Sequence, residues 1–336
     1  MSSFVVALDV GGTSMKGGLV TRSGEILRTD RRATPRNRGP AAVIATIRSF
    51  IDDLAAAGGG TPEGVGLAVP GLVTAEAALY SANIGWRDIP ATDLVPLDVP
   101  VMLGHDVRTG GLAESVLGAG RELSDFLFLP IGTGIAGATI LHGEPYGGSA
   151  GWGGEIGHIP VFPEGEPCAC GQIGCLETYA SASAVARRYS TRATATLGSP
   201  VSSLALPSSG TSPVAASVTA EQVAALTASG DPLATEIWGD AVEALSLALA
   251  TYTLLLDPSA IVLGGGLAEA GTLLSDPLAE RLRQRLAFRQ APPLRQAALG
   301  VSAGMLGAAL LGWRAAGLPD AGTTWSLDVL KSPRVA

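Results

Sequence analysis

Residues Phe4 to Val20 read F-V-V-A-L-D-V-G-G-T-S-M-K-G-G-L-V. The first seven form a nearly unbroken apolar run, the pattern of a strand buried on both faces. The chain turns at Gly11-Gly12-Thr13 and resumes with Gly17-Gly18-Leu19-Val20, and Ser23-Gly24 then leads into Glu25-Ile26-Leu27. This spacing predicts an antiparallel meander of three strands. Bare N–H groups in a glycine turn can approach phosphate oxygens, and the Thr13 hydroxyl adds a donor. Asp9, at the strand end, is placed to hold Mg(II) directly or through water. The turn fits neither the Walker pattern nor G-x-G-x-x-G, and a Gly-Gly hairpin by itself needs no ligand.

The pattern recurs. Phe126 to Pro130 is a second apolar strand, followed by Ile131-Gly132-Thr133-Gly134 and a strand expected over Ile135 to Leu141. A third glycine turn, Gly264-Gly265-Gly266, follows the strand Ala260 to Leu263. Two strand–turn–strand units suggest an internally duplicated α/β fold, two similar domains with a cleft between them. Each glycine cluster follows a buried strand, where open α/β sheets bind ligands.

Pro40 to Ala57 has helical periodicity and Val65 to Val69 reads as a buried strand. A strand over Val99 to Leu103 then delivers His105 and Asp106 to the mouth of a helix that runs to Leu117. Asp106 fits two roles there: a helix N-cap, or a general base that accepts a hydroxyl proton during phosphoryl transfer.

All three cysteines lie in G-W-G-G-E-I-G-H-I-P-V-F-P-E-G-E-P-C-A-C-G-Q-I-G-C-L-E-T, Gly151 to Thr178. Cys168, Cys170 and Cys175 with His158 make a complete tetrahedral Zn(II) set, and four protein ligands leave no open position, so a metal here is structural. Gly171 and Gly174 suit a tight knuckle, and Glu155 and Glu177 flank it.

Composition sets the outer bounds. At 336 residues, 47% hydrophobic and 15% charged, the chain is globular and long enough for two domains. A formal charge of -8 with no basic block argues against nucleic acid as a partner. No targeting segment opens the sequence, the run Ala244 to Leu256 is too short to span a bilayer, and the clustered cysteines are not a disulfide framework. A soluble cytoplasmic protein is expected.

Together these motifs resemble the ROK family of sugar kinases and sugar-responsive repressors, most nearly its bacterial glucokinases. The resemblance runs from Asp9 to about Leu318. Asp9, Gly11, Gly12, Thr13 and Lys16 match the first phosphate motif, Gly132, Thr133 and Gly134 the second, and Gly264 and Gly265 the adenosine-side motif. G-E-I-G-H with C-x-C-G-x-x-G-C-L-E matches the sugar-and-zinc signature, through Glu155, His158, Cys168, Cys170, Cys175 and Glu177. Gly71 and Asn83 match sugar-pocket positions, and Asp106 matches the catalytic base.

The resemblance implies two ribonuclease-H-like domains of the actin and hexokinase ATPase type. It also implies ATP with Mg(II), structural Zn(II), a homo-oligomer (dimer or tetramer), and transfer of phosphate to the 6-hydroxyl of an aldohexose, glucose first. N-acetylmannosamine, N-acetylglucosamine, fructose and allose are the alternative sugars. A non-catalytic sugar-sensing regulator is disfavoured, because only eight residues precede Asp9 and leave no room for a DNA-binding domain. One departure concerns selectivity: His105 stands where the family usually has a sugar-binding Asn, and imidazole cannot donate and accept from adjacent atoms as an amide does.

The expected domains are residues 1–108, completed by a helix over about 304–318, and residues 109–303. The second carries the zinc motif and a Ser/Thr/Pro-rich surface insertion over 192–218. Residues 319–336 are expected to be a polar tail. Thr219 with Gln222 predicts a capping box, and Asp231-Pro232 the start of a long helix to Leu256.

Overall fold

The structure, a computed structural model, describes residues 3–197 and 218–326. Its first strands are β1 (Phe4–Val10), β2 (Ser14–Thr21) and β3 (Ile26–Ala33), followed by helix α1 (Pro40–Gly58). Strands β4 (Val65–Val69), β5 (Leu72–Val73), β6 (Ala77–Ser81) and β7 (Trp86–Pro90) precede α2 (Ala91–Leu94), β8 (Val101–His105) and α3 (Asp106–Leu117). Then come β9 (Phe126–Pro130), β10 (Ala138–Leu141), β11 (Glu144–Tyr146), α4 (Glu177–Ala180), α5 (Ala182–Leu197), α6 (Ala220–Ala228) and α7 (Pro232–Leu256). The chain continues through β12 (Ile261–Gly264), α8 (Gly265–Ala268), α9 (Thr272–Arg285), β13 (Leu294–Gln296) and α10 (Ala303–Ala315).

Two five-stranded sheets repeat one plan, with orders β3-β2-β1-β4-β8 and β11-β10-β9-β12-β13. In the first, β1, β2 and β3 form the expected meander, and β4 and β8 add parallel strands. In the second, β9, β10 and β11 pair antiparallel while β12 and β13 pair parallel. A small antiparallel sheet, β5-β6-β7, was not expected from sequence. The chain divides into two compact units: residues 1–128, 138–154 and 297–336, and residues 129–137 and 155–296.

In the first unit the period of two in β1 sorts its side chains to opposite faces. Phe4, Val6, Leu8 and Val10 pack with Val43, Ile47, Phe50 and Leu54 of α1. Val5 and Ala7 pack with Leu112 of α3 and Met305, Ala308 and Leu311 of α10. Helix α10 rests directly on β4, since a Cβ on Gly66 would lie 1.8 Å from Ala308 O. The segment expected to be a tail contributes to this core: Trp325 is buried, its ring covers Gly24, and its Nε1 donates to Arg22 O at 2.9 Å. An indole of that size brings too much apolar area to remain in water.

In the second unit α7 is central. Asp231 caps it by accepting from Ala234 N at 2.7 Å, and Ile237, Trp238, Val242, Leu245 and Leu249 are buried. It is long and apolar enough to cross a membrane, yet 56% of its apolar window is buried. The Thr219–Gln222 capping box is present. Residues Arg192 to Leu197, expected in the insertion, instead continue α5, and Arg192 forms a two-pronged ion pair with Glu236 of α7. The rest of that insertion, 198–217, and the tail beyond 326 lie outside the described residues.

Candidate active site and metal centre

Strand register assembles the first group of candidate residues. Asp9 of β1 pairs with Ala68 of β4, and Val69 of β4 with His105 of β8. Three parallel strands therefore end together and bring Asp9, Gly71 and His105–Asp106 to one sheet edge, where α/β sheets bind ligands. Gly71 adopts a φ of 99°, and a Cβ there would meet Tyr80 O at 2.1 Å, so only glycine fits. Asn83 is exposed on the turn between β6 and β7.

The first glycine turn is held by Gly11 N donating to Ser14 O at 3.1 Å and Thr34 Oγ1 donating to Gly11 O at 2.6 Å. Gly12 follows it, and Thr13 is exposed. Lys16 stands opposite Asp9 in register and its Nζ donates to Val301 O at 3.0 Å. The Asp9 carboxylate lies against the first turn of α10: a Cβ on Gly304 would approach it to 2.5 Å. Sequence reasoning missed Gly304, because nothing marks a helical glycine as the floor beneath a carboxylate 295 residues earlier.

Asp106 is the first residue of α3, and the N-cap is His105, whose Nδ1 accepts from Arg108 N at 3.5 Å. The cap role weighed for Asp106 thus falls to its neighbour. Asp106 Oδ1 accepts from Val107 N at 2.8 Å and lies 3.3 Å from His105 Nδ1. Burial raises the Asp106 pKa to about 6, against the lowering effect of the Val107 amide and the Arg108 charge. Asp9 is likewise pushed up to about 6, by burial and by the charge of Asp106, with Lys16 opposing. Arg108, also missed, is buried and donates through Nη1 to Gly151 O (3.0 Å) and Gly153 O (3.1 Å). It ties the glycine-rich loop ahead of Glu155 to the helix that begins with Asp106.

The second unit gathers the remaining candidates. Ile131 N donates to Gly264 O at 2.8 Å and Leu267 N to Ile131 O at 3.0 Å, so the second and third glycine turns are stitched together. Gly265 has a φ of 77°, and a Cβ on it would lie 2.5 Å from the Ile131 backbone. Gly132 N donates across the turn to Gly134 O at 3.0 Å. Beside these turns is a mainly apolar cavity of about 470 Å³, lined by Ala182, Ala224, Trp238, Gly266, Leu267 and Glu269. Its walls come from distant segments, so no motif announced it; its size suits a ligand group such as a nucleobase.

His158, Cys168, Cys170 and Cys175 place one ligand atom each within 4.8 Å of one another. His158 Nδ1 lies 3.8 Å from Cys168 Sγ, and Cys170 Sγ 3.7 Å from Cys175 Sγ. A tetrahedron with Zn–S bonds of about 2.3 Å has edges of about 3.8 Å, so the donor set fits the ion. Burial pushes the Cys175 thiol up to about 12, which keeps it protonated until a cation displaces the proton. The other imidazole nitrogen, Nε2, faces Glu155 Oε2 at 3.9 Å. Glu177 Oε2 accepts from Ile135 N at 2.7 Å.

The ROK family model matches residues 5–314. A glucokinase of Halalkalibacterium halodurans is 32% identical over 318 residues, covering 92% of this chain and 93% of its own. An N-acetylgalactosamine kinase of a Shewanella species is 31% identical over 326 residues, covering 91% and 95%. The crystal structure of a ROK family glucokinase from Streptomyces griseus, in complex with glucose and AMPPNP, superposes with a TM-score of 0.75 at 30% identity, covering 93% of this chain and all of that one. With a family match over residues 5–314 and relatives of about 30% identity covered almost end to end, the chain belongs to the ROK family.

Proposed function

We propose that this chain transfers the γ-phosphoryl group of ATP to the 6-hydroxyl of an aldohexose, glucose being the first candidate. It is an ATP-dependent sugar kinase of the ROK family. The observation that carries the reading is Asp106: it starts α3 beside His105, and burial raises its pKa to about 6. Such a carboxylate is ionised at neutral pH yet basic enough to take a hydroxyl proton. As it does so the bond from O6 to the γ-phosphorus forms and the bond to the bridging oxygen breaks, giving ADP and the 6-phosphosugar.

Gly71, Asn83, His105, Glu155, His158 and Glu177 bind the sugar in this account. Gly11, Gly12, Thr13, Lys16 and Gly132 to Gly134 serve the phosphates, with Asp9 directed to their cation. Gly264 and Gly265, with the cavity beside them, receive the adenosine. Mg(II) bound with ATP neutralises phosphate charge. Zn(II) on His158, Cys168, Cys170 and Cys175 would be structural.

The Shewanella relative favours a second reading, the same chemistry on an N-acetylhexosamine, and His105 is the residue whose departure bears on that choice. A coupled assay with Mg-ATP against a panel of hexoses and N-acetylhexosamines separates the two. The highest kcat/KM on glucose supports the first, the highest on an amino sugar the second, and no transfer to any sugar contradicts both. We place the enzyme in the cytoplasm and expect a homo-oligomer, a state supported by the exposed Leu255 (77%) and Phe288 (81%) and measurable by sedimentation.

A further inference from the structure

The metal loop touches the second glycine turn and Ile135 just after it at two points. Gly157, adjacent to His158, is one: a Cβ there would come within 2.0 Å of Ile135 O. Glu177, two residues past Cys175, is the other. Its Oε2 accepts the Ile135 N–H at 2.7 Å, and a Cβ on Gly134 would lie 2.5 Å from the same oxygen. The chain just beyond adds two more bonds, Ala182 N to Gly132 O at 2.8 Å and Ser183 Oγ to Thr133 O.

The path back to the cluster is short and fixed at each residue. Thr178 N and Oγ1 donate to Cys175 O at 3.0 and 2.7 Å, and Leu176 N donates to Ile159 O at 2.9 Å. Two glycines give the turn little stiffness of its own. Its shape is therefore set by what holds it, and the amide–carboxylate bond is the charge-assisted one among those holds.

We infer that Glu177 is a positioning residue that carries the order of the metal loop to the second glycine turn, so that phosphate binding there depends on the metal cluster. The link to phosphate rests on the kinase reading; the strut itself does not.

The zinc-loaded full chain and its Glu177→Ala, Glu177→Gln and Glu177→Asp variants decide the matter, with metal content and circular dichroism recorded for each. Hydrogen exchange of the peptide over 131–137 reads the turn directly, and calorimetric titration with Mg-AMPPNP, without sugar, reads phosphate binding. Loss of the bond in Glu177→Ala should speed exchange and weaken the analogue about tenfold each. Glu177→Gln, whose carbonyl can still accept, should stay within about threefold on both. Glu177→Asp keeps the charge but is one methylene short, and should behave like Ala without opening a large void. Chelating the zinc at a temperature where the protein stays folded should reproduce the Ala variant.

Wild-type exchange in both the Ala and Asp variants overturns the strut. Faster exchange with unchanged analogue affinity overturns the coupling to phosphate. If the wild type binds no nucleotide, the kinase reading falls, and the exchange data still decide the strut by the same criterion.

Discussion

Two carboxylates share one edge of the first sheet, and burial is the main reason each has a pKa near 6. If Asp106 is the base we propose, it must be ionised to accept a proton, and activity falls as pH drops through its folded pKa. We expect kcat/KM to have an acidic limb near pH 6, where an ordinary Asp would place it near 4. A pH–rate profile that stays flat down to pH 4.5 contradicts a buried base. Beside it, His105 combines two tasks, capping α3 through Nδ1 and facing Asp106. Asn caps helices at least as well and can offer a sugar both a donor and an acceptor. His105→Asn should therefore leave the fold intact and lower KM for glucose or leave it unchanged. Collapse of glucose turnover, with another hexose used well, would mean that His105 is tuned to that other sugar.

At the scale of elements, legibility followed sequence distance. The meander, the glycine turns, α1, α7 and the Cys/His cluster were readable because each is specified by neighbours in sequence: apolar periods, caps, and ligands confined to residues 158–175. What escaped depends on partners far along the chain. Strands β5 to β7 are two to five residues long, and β7 carries Arg87 and Asp88, which breaks any alternation. Residues Arg192 to Leu197 look like linker by composition but are helical, and Arg192 meets Glu236 across two helices. Trp325 looked like part of a tail until Gly24 gave it a seat. The bond from Ile135 to Glu177 bridges 42 positions, which no local pattern encodes.

Glu114 belongs with these. It is fully buried in α3 and accepts from Ala119 N (2.8 Å), Ala298 N (3.2 Å) and Leu299 N (2.9 Å), joining the end of that helix to the approach to α10. Glu114→Ala removes the acceptor of one buried amide, Leu299 N, and of two less buried ones. A buried donor left unmade costs about 1–3 kcal/mol, so urea unfolding should show a loss of about 2 kcal/mol or more. A loss under about 1 kcal/mol would mean that water replaces the carboxylate.

For the molecule as a whole, the repeated sheet plan and near-complete coverage of ROK relatives fix the class, while identity near 30% to both a glucokinase and an N-acetylgalactosamine kinase leaves sugar choice to a few side chains. A hydrophobic or hydrogen-bonding change of one group in a pocket is enough to redirect such an enzyme. The chemistry is less negotiable: if Asp106 is the base, it acts mainly in the transition state, and its loss separates turnover from binding. The decisive measurement is kcat with Mg-ATP, together with the calorimetric sugar Kd, for wild type and Asp106→Asn on the best sugar of the panel. The account predicts a kcat lower by about a thousandfold or more, with sugar affinity within a few-fold. A variant that keeps a tenth or more of the wild-type kcat would remove Asp106 from the chemistry, and the proposed mechanism with it.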